Sequence, residues 1–214
     1  MQPLCNRNHF SRGILSLDLP GHVEASPDMN QDDNAVSAWV SLPRRLYLDT
    51  STLQTLYDFG GVIWEGEPFE PSGRAATVEG LAEDLSALRM IFLVNERAMF
   101  EFVVTEASLR EVQGRDEPRY TQWVYDVLDT WLVQSEGEEP HVPRSTFADA
   151  RFGMISIKDR RLLQDAVDWG CDAFLTMERR LPTAADFIER MSGLRVVRPS
   201  AYWRLLAPWA ALYR

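Results

Sequence analysis

Three observations predict an α/β fold with a mainly parallel central sheet flanked by helices in three layers. Short continuous apolar runs, at 46–48, 102–104 and 173–175, suit strands covered on both faces. Segments with apolar residues at helical spacing separate these runs, so strand and helix alternate along the chain. With 214 residues and 45% hydrophobic content the chain can bury one sizeable core.

Residues 1–42 mix "EASPDMNQDDNAVS" with isolated apolar residues at no sustained period. That composition predicts a flexible N-terminal extension ahead of a domain over 43–214. The domain opens with "RRLYLDTST", a strand running into Asp49 and the hydroxyls that suit a helix start. The helix "TLQTLYDF" ends before Gly60 and Gly61, and Pro68, Pro71 and Gly73 make "GVIWEGEPFEPSGR" a loop. Leu81, Leu85, Leu88, Phe92 and Leu93 give "TVEGLAEDLSALRMIFLVNER" the spacing of an amphipathic helix. "MFEFVVT" is the next strand, and Thr105 suits the cap of a helix "EASLREV" that Gly114 stops. Pro118 begins another helix, "PRYTQWVYDVLDTWLVQ", with Trp123, Val127, Leu128 and Trp131 on one side. "SEGEEPHVPRS" is an exposed connection with a brief strand at 141–143.

Leu162, Leu163, Ala166 and Trp169 mark the buried face of a helix that starts at Asp159 and ends at Gly170. "DAFLT" is a buried strand, "TAADFIERM" a helix broken by Gly193, and "LRVV" the last strand. Pro208 interrupts the aromatic terminus "SAYWRLLAPWAALYR". Trp203, Trp209 and Tyr213 are expected to pack back on the domain or against a second copy, a homodimer.

Charge and composition narrow the function. A net charge of −10 and a pI near 4.8 repel nucleic acid at a distance, which argues against a simple nucleic-acid-binding module. An enzyme that holds a polyanion through a bound cation stays open, because a divalent ion reverses the local potential. Cys5 and Cys171 are too few for a disulfide framework or a cysteine-rich metal site, and Cys171 reads as a core residue. His9, His22 and His141 are scattered, which argues against a zinc hydrolase. Neither a phosphate-cradling Gly-rich loop nor a Gly-x-Ser-x-Gly elbow is present. No apolar run approaches a membrane span and the N-terminus is a poor signal peptide, so no membrane partner and a cytoplasmic location are expected.

In parallel sheets, functional residues gather at the carboxyl ends of the strands. Asp49 and Glu178 each follow a strand, Asp159 opens the helix leading into "AFLT", and Glu111 lies in the helix leaving "FEFVVT". If these carboxylates converge, their mutual repulsion is on the order of 1–4 kcal/mol per close pair and calls for a cation. Mg²⁺ and Mn²⁺ prefer such oxygen ligands. Each acid also has a plainer reading: Asp49 and Asp159 as helix caps, Glu111 as a solvated helix acid, Glu178 as a surface acid. Thr50, Ser51 and Thr176 either orient a carboxylate or a metal-bound water, or cap. Asp165, Asp168 and Asp172 read as surface acids. Arg160, Arg161, Arg179 and Arg180 are solvated charges or contacts for an RNA backbone.

"LYLDTS", "VVTEASLREV" and "KDRRLLQDAVDWGCDAFLTMERRL" together resemble the successive motifs of the PIN-domain nucleases, a family that includes many bacterial toxin ribonucleases. The resemblance covers roughly residues 44–199. It matches Asp49 to the family's first acid, Glu111 to the second with Glu106 as its competitor, and Asp159 to the third, with Ala166 inside the same helix. Glu178 matches the fourth, where the family most often has Asp, and Thr176 matches the Thr two residues before it. What the resemblance implies is a PIN-like fold and a metal-dependent endoribonuclease using Mg²⁺ or Mn²⁺ held by Asp49, Glu111, Asp159 and Glu178. It further implies an RNA substrate and, for toxin members, a protein inhibitor or antitoxin. The alternative is a catalytically inactive PIN-like binding or assembly module, given the departure at Glu178 and the acidic surface.

Overall fold

The computed structural model describes residues 39–73, 75–98, 100–130, 147 and 152–213. Residues 1–38 of the expected extension, Trp131 and the expected strand at 141–143 lie outside the described residues.

Strand β1 (Arg45–Leu48) buries Leu46, Tyr47 and Leu48 completely, so both of its faces are covered. It pairs in parallel with β2 (Glu101–Val103) on one side and β3 (Ala173–Leu175) on the other, and β3 pairs in parallel with β4 (Arg195–Val197). The sheet order is β2-β1-β3-β4. Side chains alternate across a strand, and here the alternation builds two cores. Leu46, Leu48, Phe102, Ala173 and Leu175 face one of them; Tyr47, Val103, Phe174 and Val196 face the other. Tyr47 and Phe174 are register partners and stack with centroids 5.0 Å apart. Each of the buried leucine, valine and phenylalanine side chains contributes roughly 1.5–3 kcal/mol through burial. The result is the expected α/β architecture, an all-parallel sheet between two helical layers.

Helix α1 (Thr50–Asp58) follows β1 directly. Where the sequence predicts a loop, Gly61–Glu65 makes one π-helical turn, closed by Gly66 in the left-handed region at φ 76°. A side chain there would meet both the strained backbone and the Arg89 guanidinium. Helix α2 (Leu81–Ala98) buries Leu81, Leu85, Leu88, Ile91 and Phe92, while Leu93 is 44% exposed. Leu93 lies about 100° from Phe92 around the helix, off the stripe that the others form.

Helix α3 (Glu106–Gln113) ends at Gly114 as expected. Helix α4 (Pro118–Thr130) buries Tyr120, Val124 and Leu128; of the expected face Leu128 is buried, while Trp123 and Val127 pack at its edge. Helix α5 (Ile157–Asp168) begins before Asp159, not at it: Ser156 is the cap, and its hydroxyl accepts the Asp159 backbone N–H at 3.1 Å. A 3-10 turn at Leu181–Ala184 precedes α6 (Ala185–Ser192).

The aromatic terminus folds as α7 (Pro199–Leu206) and a 3-10 segment, Ala207–Tyr213. It packs back on the domain. Tyr202 and Leu206 are fully buried, the Tyr202 hydroxyl donates to the Pro43 carbonyl at 2.7 Å, and Trp209 lies 5.4 Å from Trp39. Asp84, fully buried on α2, pairs with Arg198 and accepts the Ser200 N–H, which fixes the start of α7 against α2. Among the described residues no helix is long and apolar enough to cross a membrane.

Candidate functional site

From β1 the chain moves to β2 on one side and then returns past β1 to β3 on the other. The reversal opens a crevice at the carboxyl ends of β1 and β3, where open parallel sheets place their ligands. Asp49 follows β1 and Thr176 follows β3.

Asp49 is a cap and a crevice acid at once. Its extended backbone, φ −75° and ψ 167°, caps α1, and Oδ1 accepts the Thr52 N–H at 2.7 Å. The Ser51 hydroxyl lies 2.8 Å from both carboxylate oxygens, and Thr176 Oγ1 donates to Oδ2 at 2.5 Å. Thr52 Oγ1 in turn donates to the Leu175 carbonyl at 2.9 Å, tying α1 to the end of β3. Asp49 is only 4% exposed, and this burial raises its carboxyl pKa although Thr176, Thr52 and Ser51 oppose the shift. Two of the three expected supporting hydroxyls also shape the next turn: Ser51 Oγ accepts the Met177 N–H and Thr176 Oγ1 accepts the Glu178 N–H, both at 3.0 Å.

The other acids line the rim. Glu111 is 13% exposed at its side chain; Oε2 accepts the Thr50 hydroxyl at 2.7 Å and faces Lys158 Nζ at 3.0 Å. Its competitor Glu106 is 85% exposed and lies 3.8 Å from Arg110, out in solvent. Asp159 is half-buried in the first turn of α5, beside Lys158. Glu178 is exposed as a residue, but its carboxyl borders the crevice. Partial burial raises its pKa first, then the charges of Asp159, Asp49 and Glu111, with Lys158 opposing. Of the four expected acids, Glu178 is the one whose carboxyl lies in the field of the other three.

The donor set fits a hard divalent cation: four carboxylates from four segments, with no sulfur or nitrogen ligand. The arrangement is open. Among the described residues no three His, Cys, Asp or Glu side chains are close enough as they stand to hold an ion together. Asp49 is engaged by protein donors and Glu111 by a hydroxyl and a lysine.

Several neighbours differ from the sequence reading. Asp165 is half-buried, not a plain surface acid: it accepts the Thr105 hydroxyl at 2.8 Å, and desolvation raises its pKa. Thr105 stands at the N-cap position of α3 without making the capping bond. With its proton on Asp165, Thr105 accepts from the Tyr47 hydroxyl at 2.8 Å, and Ser108 completes the chain at 2.7 Å from Tyr47. Asp168 accepts from Gln164, and Asp172 accepts the Arg44 and Arg45 N–H groups at the opposite end of β1.

A cleft of about 760 Å³ opens between α3 and α5, walled by Arg110, Arg115, Lys158 and Arg161 with Glu111 and Asp165. Of the arginines expected near the site only Arg161 lines it; Arg179 is held by Glu79. Arg110 and Arg115 were missed, and no helical spacing announces them: Arg110 is adjacent to Glu111 on α3 and so faces elsewhere, and Arg115 lies past the end of α3, donating to Gln54. Compared with known proteins, the chain matches no family model, no curated protein and no solved structure.

Proposed function

We propose that the chain is a PIN-like, metal-dependent endoribonuclease that hydrolyses RNA phosphodiester bonds with an activated water. The observation that supports this reading is the buried, hydroxyl-held Asp49 at the switch point of an all-parallel sheet, with Glu178 near enough to feel the charges of Asp49, Glu111 and Asp159. When bound, Mg²⁺ or Mn²⁺ lowers the pKa of water and neutralises charge on the phosphodiester.

The chain's own residues supply position. Asp49 is the fixed ligand, oriented by Ser51, Thr52 and Thr176. Glu111 and Asp159 join it from α3 and α5. Glu178 stands at the periphery, where its carboxylate can orient the attacking water. No protein nucleophile is needed. The Glu111–Lys158 pair favours a second reading, an inactive PIN-like binding or assembly module whose acids are already neutralised from within.

Incubation of mixed RNAs with Mg²⁺ or Mn²⁺ separates the two. Cleavage that stops in chelator and in Asp49→Asn supports the nuclease. Equal activity in chelator and in Mn²⁺, or none in either, sinks it.

A further inference from the structure

We propose that Lys158 is the built-in counter-ion of the acidic site: it holds Glu111 while no divalent cation is bound, yields it when one arrives, and then turns into the adjoining basic cleft. The inference rests on the metal reading above, and it adds a coupling between metal and polyanion.

Three features of Lys158 carry it. The ammonium lies 3.0 Å from Glu111 Oε2, the oxygen that a cation at the crevice would take. Its grip is limited on the lysine side: the Lys158 side chain is 66% exposed and can regain water on release, although Glu111 is only 13% exposed. Its place in the chain also disfavours it, because Lys158 is the second residue of α5 and a helix N-terminus repels positive charge. Glu111, not its own helix, keeps the lysine where it is. A residue held against its helix dipole by one close ion pair, with the field of Glu178 beside it, is suited to release.

The same side chain has a second position. Lys158 lines the cleft with Arg110, Arg115 and Arg161, four cations against the two acids Glu111 and Asp165, a net positive wall that suits the phosphates of a single-stranded nucleic acid. A divalent ion at Glu111 would repel the ammonium toward this wall, where phosphates would receive it. Metal and polyanion thus favour the same Lys158 position, so each strengthens binding of the other by a reciprocal factor.

Mn²⁺ titrated into the metal-free protein, read by loss of its free-ion EPR signal, tests the exchange in the parent, K158Q and R161Q. The expected result is Mn²⁺ binding about two- to fivefold tighter in K158Q, the worth of an exposed ion pair, with R161Q near the parent at moderate salt. A single-stranded DNA oligonucleotide then reports the coupling. Mn²⁺ should raise its affinity for the parent and raise it less for K158Q. If K158Q and the parent bind Mn²⁺ equally, or R161Q gains as much as K158Q, Lys158 is a surface charge and the proposal fails while the metal reading stands. If none of the three binds Mn²⁺, both fail.

Discussion

Asp49 and Glu111 both present a carboxylate to the crevice at the end of the sheet, and the chain secures them by different means. Asp49 is fixed by a backbone N–H and two hydroxyls within the β1 and β3 ends, and is almost wholly buried. Glu111 projects from a helix, and one hydroxyl and one exchangeable lysine hold it. One half of the site is built before any ligand arrives; the other can change partners. Preorganisation at Asp49 sets where an ion would sit, and adaptability at the rim lets it enter and leave.

The largest expected effect strikes the fixed half. Asp49→Asn should lower metal-dependent RNA cleavage by more than roughly a hundredfold, beyond the loss typical of an outer-shell change, and leave the fold intact. Stability should move the other way. Because burial raises the folded-state pKa of Asp49, its favourable contribution is complete below the ordinary carboxylate range, about pH 4, and is lost as pH rises through the raised value. The metal-free parent should therefore lose stability from mildly acid to neutral pH more steeply than the Asn variant. Thermal melts between pH 4 and pH 8 check this; an Asn variant that melts several degrees lower at neutral pH would show that the carboxylate stabilises the fold.

A smaller effect probes how the fixed half is held. Thr176→Val keeps the shape but removes the donor to Asp49 Oδ2 and the acceptor for the Glu178 N–H. Mn²⁺ affinity should fall roughly 10- to 100-fold, and stability by about 1–3 kcal/mol for the unpaired groups. Unchanged Mn²⁺ affinity would mean that Asp49 needs no orienting hydroxyl, and the contrast between the two halves would collapse.

The smallest effects belong to the rim. Glu178→Ala should slow cleavage by less than Asp49→Ala does, and Glu178→Asp should preserve or modestly raise the rate, since it keeps the charge and shortens the reach by one methylene. Rates on mixed RNA decide. Indistinguishable cleavage by Glu178→Ala and the parent would make Glu178 a surface acid.

The same contrast explains what the sequence revealed. Asp49 was legible because its determinants are local: an apolar run that ends, an acid, and the residues of a helix start. The strands and their parallel class were legible for a similar reason, since burial on both faces leaves continuous apolar runs. Glu111 was ambiguous with Glu106 because both lie on one helix, and only the packing of α3 beside α1 and α5 turns one inward. The Lys158 contact and the basic cleft depend on how those helices meet, which no local pattern encodes. Other differences are errors of phase or cap. The buried face of α4 keeps the expected Leu128 but adds Tyr120 and Val124 in place of Trp123 and Val127, and Ser156, three residues before Asp159, was a capping signal in plain view.

The central claim is that a divalent ion belongs between the fixed and the exchangeable halves, and an anomalous difference map from a crystal grown with Mn²⁺ tests it most directly. The account predicts a peak at ligand distance from Asp49, roughly 2.0–2.2 Å, shared with Glu111 or Asp159 and with Lys158 turned away from Glu111. A crystal with no peak in the crevice, and Lys158 still paired with Glu111 under saturating Mn²⁺, would contradict it.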